Sequence, residues 1–287
     1  MTGFGERVRA ALGRYGHLCV GIDPHASLLA SWELTADARG VREFGLRTVE
    51  AAAGRVGFVK PQVSFFEQHG AAGFAALEEV LAAARAAGLI VIADAKRGDI
   101  GSTMDAYARA WLAPGAPLEA DALTASPYLG VGALSGAFDL AHAHGKGVFV
   151  LAATSNREAL GLQRAAAVGG TVSAAVVAEV SERNANTAAD GAWGHLGFVI
   201  GATVDWHEAG LAPFSPVAPV LAPGFGHQGA RPDRLREIYG PLSHAVIASE
   251  SRSILSAGAD GIGEAIAAAA AAYPATAEGS SDVRRER

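Results

Sequence analysis

The sequence contains one cysteine, Cys19, in a chain of 287 residues. A single cysteine excludes an internal disulfide bond, and with it the small secreted folds that depend on such bonds. Cys19 lies inside the apolar run LCVGI, which favours a buried structural thiol over a reactive one. This use of cysteine suits a reducing compartment, so we expect a cytoplasmic protein.

Basic clusters and membrane-length apolar runs are also lacking. The formal net charge is −6, and the one dense basic stretch is RRER at the C-terminal end, so we expect no nucleic-acid partner. The longest uncharged run, residues 209–230, contains four prolines and reads as loop and strand. The N-terminal stretch MTGFGERVRAALGRYGH has no apolar core, so neither a membrane span nor a signal peptide is expected.

Short apolar runs of strand length, separated by helical stretches, recur along the chain. Their nearly continuous apolar character is typical of parallel strands covered on both faces. The predicted strands are 18–22, 56–60, 89–94, 120–125, 147–153, 195–202, 219–224 and 244–249. The predicted helices include 41–53, 72–87, 101–112, 130–144, 173–188 and 265–273. Eight such units predict a (β/α)₈ TIM barrel; a doubly wound sheet is the alternative, but no G-x-G-x-x-G follows the first strand.

The domain organisation follows from the same pattern. We predict a single barrel domain over residues 1–274 and a disordered C-terminal tail over residues 275–287. Residues 204–218 look like an insertion before the seventh strand. Residues 157–172 have a composition flexible enough to form part of a mobile lid.

Polar residues concentrate where the predicted strands end. In a barrel of this type the active site lies at the C-terminal ends of the strands. Asp23 follows the first strand, Lys60 ends the second, and DAKRGD (94–99) closes the third. Further polar segments follow the fifth, seventh and eighth strands: TSN (154–156), PGFGHQG (223–229) and SESRS (249–253). The sequence therefore predicts a functional site at this end of the barrel.

The motif DAKRGD places charges where an apolar strand ends. Side chains alternate along an extended strand, so Asp94 and Lys96 are expected to share a face, with Lys60 one strand away. Alternating cations and carboxylates would limit the cost of burying charge and would keep a proton donor charged. The motif alone equally allows a salt-bridge cluster that only closes the barrel.

The seventh and eighth strand ends suggest phosphate binding. Glycines in PGFGHQG would let backbone N–H groups approach an anion, and Arg252 could bind phosphate through two hydrogen bonds. Taken singly, these features read as a turn and a solvated arginine. Barrels commonly bind phosphate after these two strands, which favours the phosphate interpretation. Ser155, in TSN after the fifth strand, reads on its position alone as a helix cap or local turn.

The segment DAKRGDIGST, with GIDPH and FVKPQVSFFEQ before it and SPYLG after it, resembles the orotidine 5′-phosphate decarboxylases, specifically their longer bacterial subgroup. The match runs from about Asp23 to Arg252. The resemblance implies decarboxylation of orotidine 5′-phosphate to uridine 5′-phosphate in de novo pyrimidine biosynthesis. It also implies that neither a metal ion nor an organic cofactor is used.

The resemblance assigns roles to the charged motif. It implies that Lys96 protonates C6 of the pyrimidine as carbon dioxide leaves, while Asp94 lies beside the substrate carboxylate. Lys60 and Asp99 would complete the charged array. A preorganised ammonium group would stabilise the negative charge that develops at C6 in the absence of an electron sink.

The remaining implied contacts involve ribose, base and phosphate. Asp99 and Thr103 would cross the interface of a homodimer to the ribose bound by the neighbouring subunit, and Asp23 and Lys60 would bind ribose hydroxyls within one subunit. The other implied contacts are Ser155 to the pyrimidine and Gln228 and Arg252 to the phosphate.

Three other functions remain as alternatives. The first is a Mg²⁺-dependent sugar-phosphate decarboxylase or hexulose-phosphate synthase on the same barrel, although Lys60 beside the acids opposes metal binding. The second is a Schiff-base aldolase using Lys60 or Lys96, although flanking carboxylates raise the pKa of a lysine. The third is a non-catalytic phosphate-binding barrel. No H-x-x-x-H or H-E-x-x-H pair occurs, so the histidines, including His25 and His227, read as surface residues rather than metal ligands.

Overall fold

The computed structural model describes residues 2–275, and the predicted tail lies outside the described residues from 276 onward. Its strands are β1 (Leu18–Ile22), β2 (Phe58–Pro61), β3 (Ile90–Arg97), β4 (Ala122–Ala125), β5 (Gly147–Ala153), β6 (Ala166–Ala167), β7 (Gly170–Thr171), β8 (Leu196–Ile200), β9 (Val220–Pro223) and β10 (Val246–Glu250). Eight of them pair in parallel as a closed barrel in the order β1-β10-β9-β8-β5-β4-β3-β2. The prediction of a (β/α)₈ barrel is confirmed. Strands β6 and β7 form a separate antiparallel ribbon.

Helices follow the barrel strands and cover the outside of the sheet. Within residues 2–275 the α-helices are α1 (Phe4–Tyr15), α2 (Ala26–Ser31), α3 (Ala38–Ala52), α4 (Ser64–Glu67), α5 (Gly70–Ala86), α6 (Gly101–Leu112), α7 (Ser135–Ala143), α8 (Leu160–Gln163), α9 (Val172–Thr187), α10 (Leu235–Tyr239), α11 (Arg252–Leu255) and α12 (Gly258–Ala271). The 3₁₀ turns in this range are Val131–Leu134, Arg157–Ala159, Gly226–Gln228, Pro232–Arg234 and Gly240–Ala245. None of the helices in this range has both the length and the hydropathy needed to cross a membrane.

The predicted boundaries agree with the structure to within a few residues at most ends. Strand β5 and helix α6 begin and end where they were predicted. The predicted helix 130–144 is divided, because the 3₁₀ turn Val131–Leu134 precedes α7. The helices of one or two turns and the β6–β7 ribbon have no counterpart in the predictions, because segments so short show no hydrophobic period.

The core has two layers, one inside the barrel and one between the sheet and the helices. The interior layer is apolar below the mouth and consists of Phe4, Val8, Leu12, Cys19, Phe58, Ile90, Ile92, Ala122, Phe149, Val199, Leu221 and Ile247. Helix α1 supplies the first three and closes the N-terminal end of the barrel, where the ring of Phe4 meets the edge of Phe149 at a centroid distance of 5.9 Å. Burial raises the pKa of the Cys19 thiol to about 12, so the thiol is protonated at neutral pH.

The predicted insertion packs against the outside of the barrel. The ring of Phe214 lies 4.5 Å from that of Phe198, measured between centroids. The insertion also contacts the segment 157–172: the Thr171 hydroxyl donates to the carbonyl of Ala209 at 2.5 Å, and Arg164 pairs with Glu208 at 2.5 Å. These contacts connect the segment after β5 to the segment after β8.

Candidate active site

Asp94 lies at the C-terminal end of β3 and is only 8% exposed. Its carboxylate accepts hydrogen bonds from three side chains. The Nζ of Lys60 lies 3.1 Å from Oδ2, the Nζ of Lys96 lies 2.6 Å from Oδ1, and the hydroxyl of Thr124 donates to Oδ1 at 3.0 Å. The Lys60 ammonium is also 3.9 Å from Oδ1 of Asp23. The four charged side chains therefore alternate in sign across the barrel mouth.

The pKa values follow from this alternation. Burial alone would raise the pKa of Asp94, but the ammonium groups of Lys60 and Lys96 outweigh burial and lower it to about 2. Burial alone would lower the pKa of Lys60, but the carboxylates of Asp94 and Asp23 outweigh burial and raise it. The Lys60–Asp94 pair is therefore ionised throughout the neutral pH range.

The end of β3 is a bulge rather than a regular extended strand. Ala93 pairs with Leu123 and Arg97 pairs with Ala125, so residues 94–96 stand opposite Thr124 alone. Lys96 has a φ of +50°, in the left-handed region that few non-glycine residues adopt. Simple alternation predicted that Asp94 and Lys96 would meet; they do meet, but through this bulge.

Asp23 lies between the charged strand ends and the last barrel strand. Ser251 donates its hydroxyl proton to Oδ2 of Asp23 at 2.5 Å. The other oxygen, Oδ1, is buried and accepts no hydrogen bond from the described residues. A buried acceptor of this kind is costly unless a ligand or water supplies a donor. The position suits a ligand hydroxyl group.

A cavity of about 320 Å³ opens at this end of the barrel. Seven of the predicted site residues line it: Asp23, Lys60, Asp94, Lys96, Ser155, Gln228 and Arg252. Apolar side chains, Leu151, Val199 and Leu221, also line the cavity. It thus combines a charged side with an apolar surface suited to a planar ring.

The glycine-rich loop after β9 closes on itself. The backbone N–H of Gly226 donates to the carbonyl of Ala230 at 3.0 Å, and that of Ala230 donates to the carbonyl of Gly224 at 3.1 Å. These amides support the loop and are not available to an anion. The side chains of Gln228 and Arg252 line the cavity instead, and the Ser155 hydroxyl donates to Oε1 of Gln228 at 3.4 Å.

Asp99 and Thr103 are the two predicted site residues that do not line the cavity. Asp99 accepts a hydrogen bond from the N–H of Ile100 at 2.8 Å, and Thr103 is exposed on α6. The structure of one chain therefore brings seven of the predicted residues together and leaves these two outside.

Several residues in or behind the cavity were not predicted. Thr124 and Ser251 hold the two aspartates, and Gln62 donates to the carbonyl of Asp94 at 3.2 Å. Ser251 and Gln62 directly follow strands, so the rule that polar residues at strand ends belong to the site, which identified Asp23, could have identified them. Thr124 lies within a strand and its partner Asp94 lies on another strand, so no local pattern marks it.

The histidines agree only in part with their interpretation as surface residues, because His227 is exposed whereas His17 and His195 are buried. His25 and His227 line the cavity, and His17 is buried, with Nδ1 2.8 Å from the carbonyl oxygen of Val246. His25 follows Asp23 by two positions, so its proximity to the strand end was a usable signal. Between residues 2 and 275, no three His, Cys, Asp or Glu side chains are grouped as a metal site requires.

Comparison with known proteins places this geometry in a family. The family model described as Orotidine 5′-phosphate decarboxylase / HUMPS family matches residues 16–265. A Salinispora arenicola protein named orotidine 5′-phosphate decarboxylase is 49% identical over 261 residues, which cover 91% of this chain and 92% of that protein. A Corynebacterium efficiens protein of the same name is 47% identical over 274 residues, covering 94% and 97% of the two chains.

The fold comparison agrees with the sequence comparison. A Streptomyces avermitilis crystal structure, described as a candidate orotidine 5′-phosphate decarboxylase, superposes with a TM-score of 0.89 at 44% identity and covers 95% of both chains. The barrel, the charged strand ends and the extent of these matches lead to one conclusion: this chain belongs to the orotidine 5′-phosphate decarboxylase / HUMPS family.

Proposed function

We propose that the chain decarboxylates orotidine 5′-phosphate to uridine 5′-phosphate in de novo pyrimidine biosynthesis, without a metal ion or organic cofactor. The observation that carries the proposal is the pair of ammonium groups on one buried carboxylate, 3.1 Å and 2.6 Å from Asp94, beside the cavity. The relatives named for this activity, at 47% to 49% identity, support it. We place the activity in the cytoplasm, in keeping with the buried free thiol of Cys19.

The chemistry assigns each charge a task. The bond from C6 to the carboxylate carbon breaks, carbon dioxide leaves, and the electron pair stays on C6. The Lys96 ammonium stabilises that charge, donates its proton to C6 and becomes a neutral amine, which regains a proton from solvent. Lys60 remains charged because Asp94 and Asp23 raise its pKa, so Asp94 keeps one cation throughout. A cation held in place before the reaction, as Lys96 is by Asp94, stabilises the negative charge that develops at C6 in the transition state.

In this proposal the carboxylate, ribose, pyrimidine and phosphate of the nucleotide each contact different residues around the mouth of the barrel. The substrate carboxylate lies beside Asp94, and the ribose hydroxyls reach Asp23 and Lys60, where Oδ1 of Asp23 is buried without a donor among residues 2–275. Ser155 binds the pyrimidine, and Gln228, which accepts a hydrogen bond from Ser155, binds the phosphate. Arg252, the first residue of α11, binds the phosphate.

The charges argue against the alternatives. The ammonium group of Lys60 lies between Asp23 and Asp94 and pairs with both carboxylates. A Mg²⁺ ion would require the same carboxylates as ligands and would be repelled by the ammonium group. A Schiff-base aldolase needs a lysine whose pKa is lowered, whereas the pKa of Lys60 is raised. A non-catalytic phosphate-binding barrel would have no use for a buried ion array at its mouth, which is costly to desolvate.

A homodimer would complete the site with Asp99 and Thr103 of the second subunit. Next to them, Ile100, Tyr128 and Leu129 are 63%, 76% and 52% exposed. The turn at Ile100 and the loop at Tyr128 lie on adjacent strand ends, because the N–H of Ser126 donates to the carbonyl of Arg97 at 2.8 Å. Large apolar side chains exposed together are typical of an interface.

We expect purified protein to convert orotidine 5′-phosphate, with the change in pyrimidine absorbance as the measurement. EDTA should leave the rate unchanged because the proposed mechanism uses no metal ion. Loss of the rate in EDTA, with recovery on adding Mg²⁺, would support the Mg²⁺-dependent alternative. Inactivation by borohydride in the presence of a carbonyl substrate would support the Schiff-base alternative.

Lys96→Ala should lower kcat by at least about 100-fold, the lower end of what a positioned general acid contributes. The fold should persist because Lys60 and Thr124 still hold Asp94. Lys96→Arg is the matched control: it retains the cation but not a proton that can be released, so it should be as inactive as the alanine variant. A variant that kept more than about a tenth of kcat, a loss below about 1.4 kcal/mol, would exclude Lys96 as the acid.

Arg252→Ala should raise KM for the nucleotide at least about tenfold, equivalent to about 1.4 kcal/mol of binding. It should lower kcat/KM further, because phosphate binding energy helps to orient the reacting ring. Arg231→Ala is the control, since its side chain is 75% exposed, pairs with Asp233 and does not line the cavity. If Arg252→Ala impaired turnover of the nucleoside orotidine as much as that of the nucleotide, the phosphate assignment would be wrong.

The shared site can be tested by mixing two inactive variants. Lys96→Ala and Asp99→Ala homodimers should each be nearly inactive. Unfolding and reannealing an equal mixture should yield about half mixed dimers, each with one intact site and one site carrying both changes. About a quarter of wild-type activity should therefore return.

The alternative is that Asp99 serves the site of its own chain. Every site in the mixture would then carry one change, and no activity would return. Native mass spectrometry measures the fraction of mixed dimers independently of activity, so a lack of recovery cannot be attributed to failed reassociation.

A further inference from the structure

Thr124 lies on β4 directly behind the charged array and is 1% exposed. Its hydroxyl accepts a hydrogen bond from the backbone N–H of Lys96 at 2.9 Å and donates one to Oδ1 of Asp94 at 3.0 Å. One side chain thus contacts both the backbone of the proton donor and the carboxylate that holds it.

The direction of these two bonds is fixed by the number of protons. A backbone N–H can only donate, so the hydroxyl accepts from Lys96 and has one proton left, which goes to Asp94. Oδ1 of Asp94 therefore receives two donors, the Thr124 hydroxyl and the Lys96 ammonium at 2.6 Å. This arrangement requires Asp94 to accept at Oδ1, as an ionised carboxylate does.

The backbone at this point is strained. Residues 94–96 stand opposite Thr124 alone, and Lys96 is one of two non-glycine residues in 2–275 with a positive φ, the other being Glu33. A left-handed conformation is unfavourable for a non-glycine residue, so it persists only where other contacts hold it. The hydrogen bond from the N–H of Lys96 to Thr124 is such a contact.

We propose that Thr124 is a positioning residue for the reaction: its hydroxyl holds the β3 bulge in the conformation that directs the Lys96 ammonium at the substrate, and it keeps Asp94 in place while the lysine gives up its proton. This inference rests on the proposed decarboxylation. When the Lys96 proton moves to C6, Oδ1 of Asp94 loses the positive charge of its nearer donor, Lys96 at 2.6 Å, but retains the hydrogen bond from the Thr124 hydroxyl. The Asp94 carboxylate therefore stays beside the Lys96 amine, which is the group that must regain a proton.

The test compares Thr124→Val with Thr124→Ser. Valine matches the shape of threonine without the hydroxyl, and serine retains the hydroxyl. Thr124→Val should lower kcat at least about tenfold while KM changes less than about threefold, because the lost bonds orient the acid rather than bind the nucleotide. Thr124→Ser should restore kcat to within about threefold of wild type.

A purely structural role would produce different results. Thr48 is a matched control because it is 0% exposed and donates to the carbonyl of Phe44 at 2.8 Å, far along the chain on α3. Thr48→Val should keep kcat, because Thr48 bonds within its own helix and does not line the cavity.

Two outcomes would overturn the inference. One is a folded Thr124→Val enzyme with kcat within about twofold of wild type; Thr124→Ala takes its place if the valine variant does not fold. The other is a crystal structure of the variant in which Lys96 keeps its positive φ and its contact with Asp94. The crystal structure decides the matter even if wild-type protein does not turn over orotidine 5′-phosphate, an outcome that would refute the proposed function itself.

Discussion

The ionised carboxylate of Asp94 is the interaction on which the barrel mouth depends. Two ammonium groups and one hydroxyl converge on it from three strands, and a second carboxylate, Asp23, faces one of those ammonium groups. Each buried charge is tolerated because its neighbour has the opposite sign. An apolar strand can therefore end in DAKRGD, since the charges stabilise one another above the apolar layer inside the barrel. The same contacts hold the Lys96 ammonium group against Asp94 beside an open cavity.

Most of the fold was accessible from the sequence because apolar runs of strand length report burial on both faces of a parallel sheet. Strand β5 and helix α6 are clear examples. The position of the site was accessible for a related reason: Asp23, Lys60 and Asp94 are polar residues at the ends of apolar runs, where a barrel puts its chemistry. Motif resemblance then added roles that spacing alone does not supply.

The sequence did not reveal the contacts between neighbouring strands. The bulge at residues 94–96 depends on the register of β3 against β4, and register is not visible in a local pattern. Thr124 lies on a strand, and Ser251 directly after one, that is distant in the sequence from the aspartate it binds. The loop after β9 shows the same limit, because its glycines suggested free amides, whereas Gly226 and Ala230 bond within the loop.

The closure of the barrel by α1 determines how small molecules can enter and leave the cavity. Phe4 and Phe149 pack edge to face at the N-terminal end, beneath a layer of apolar side chains. Any molecule that reaches the cavity must therefore enter and leave by the same mouth. A molecule bound across that mouth would therefore stand between the solvent and anything deeper in the cavity, so whatever lies deepest could leave only after or past it.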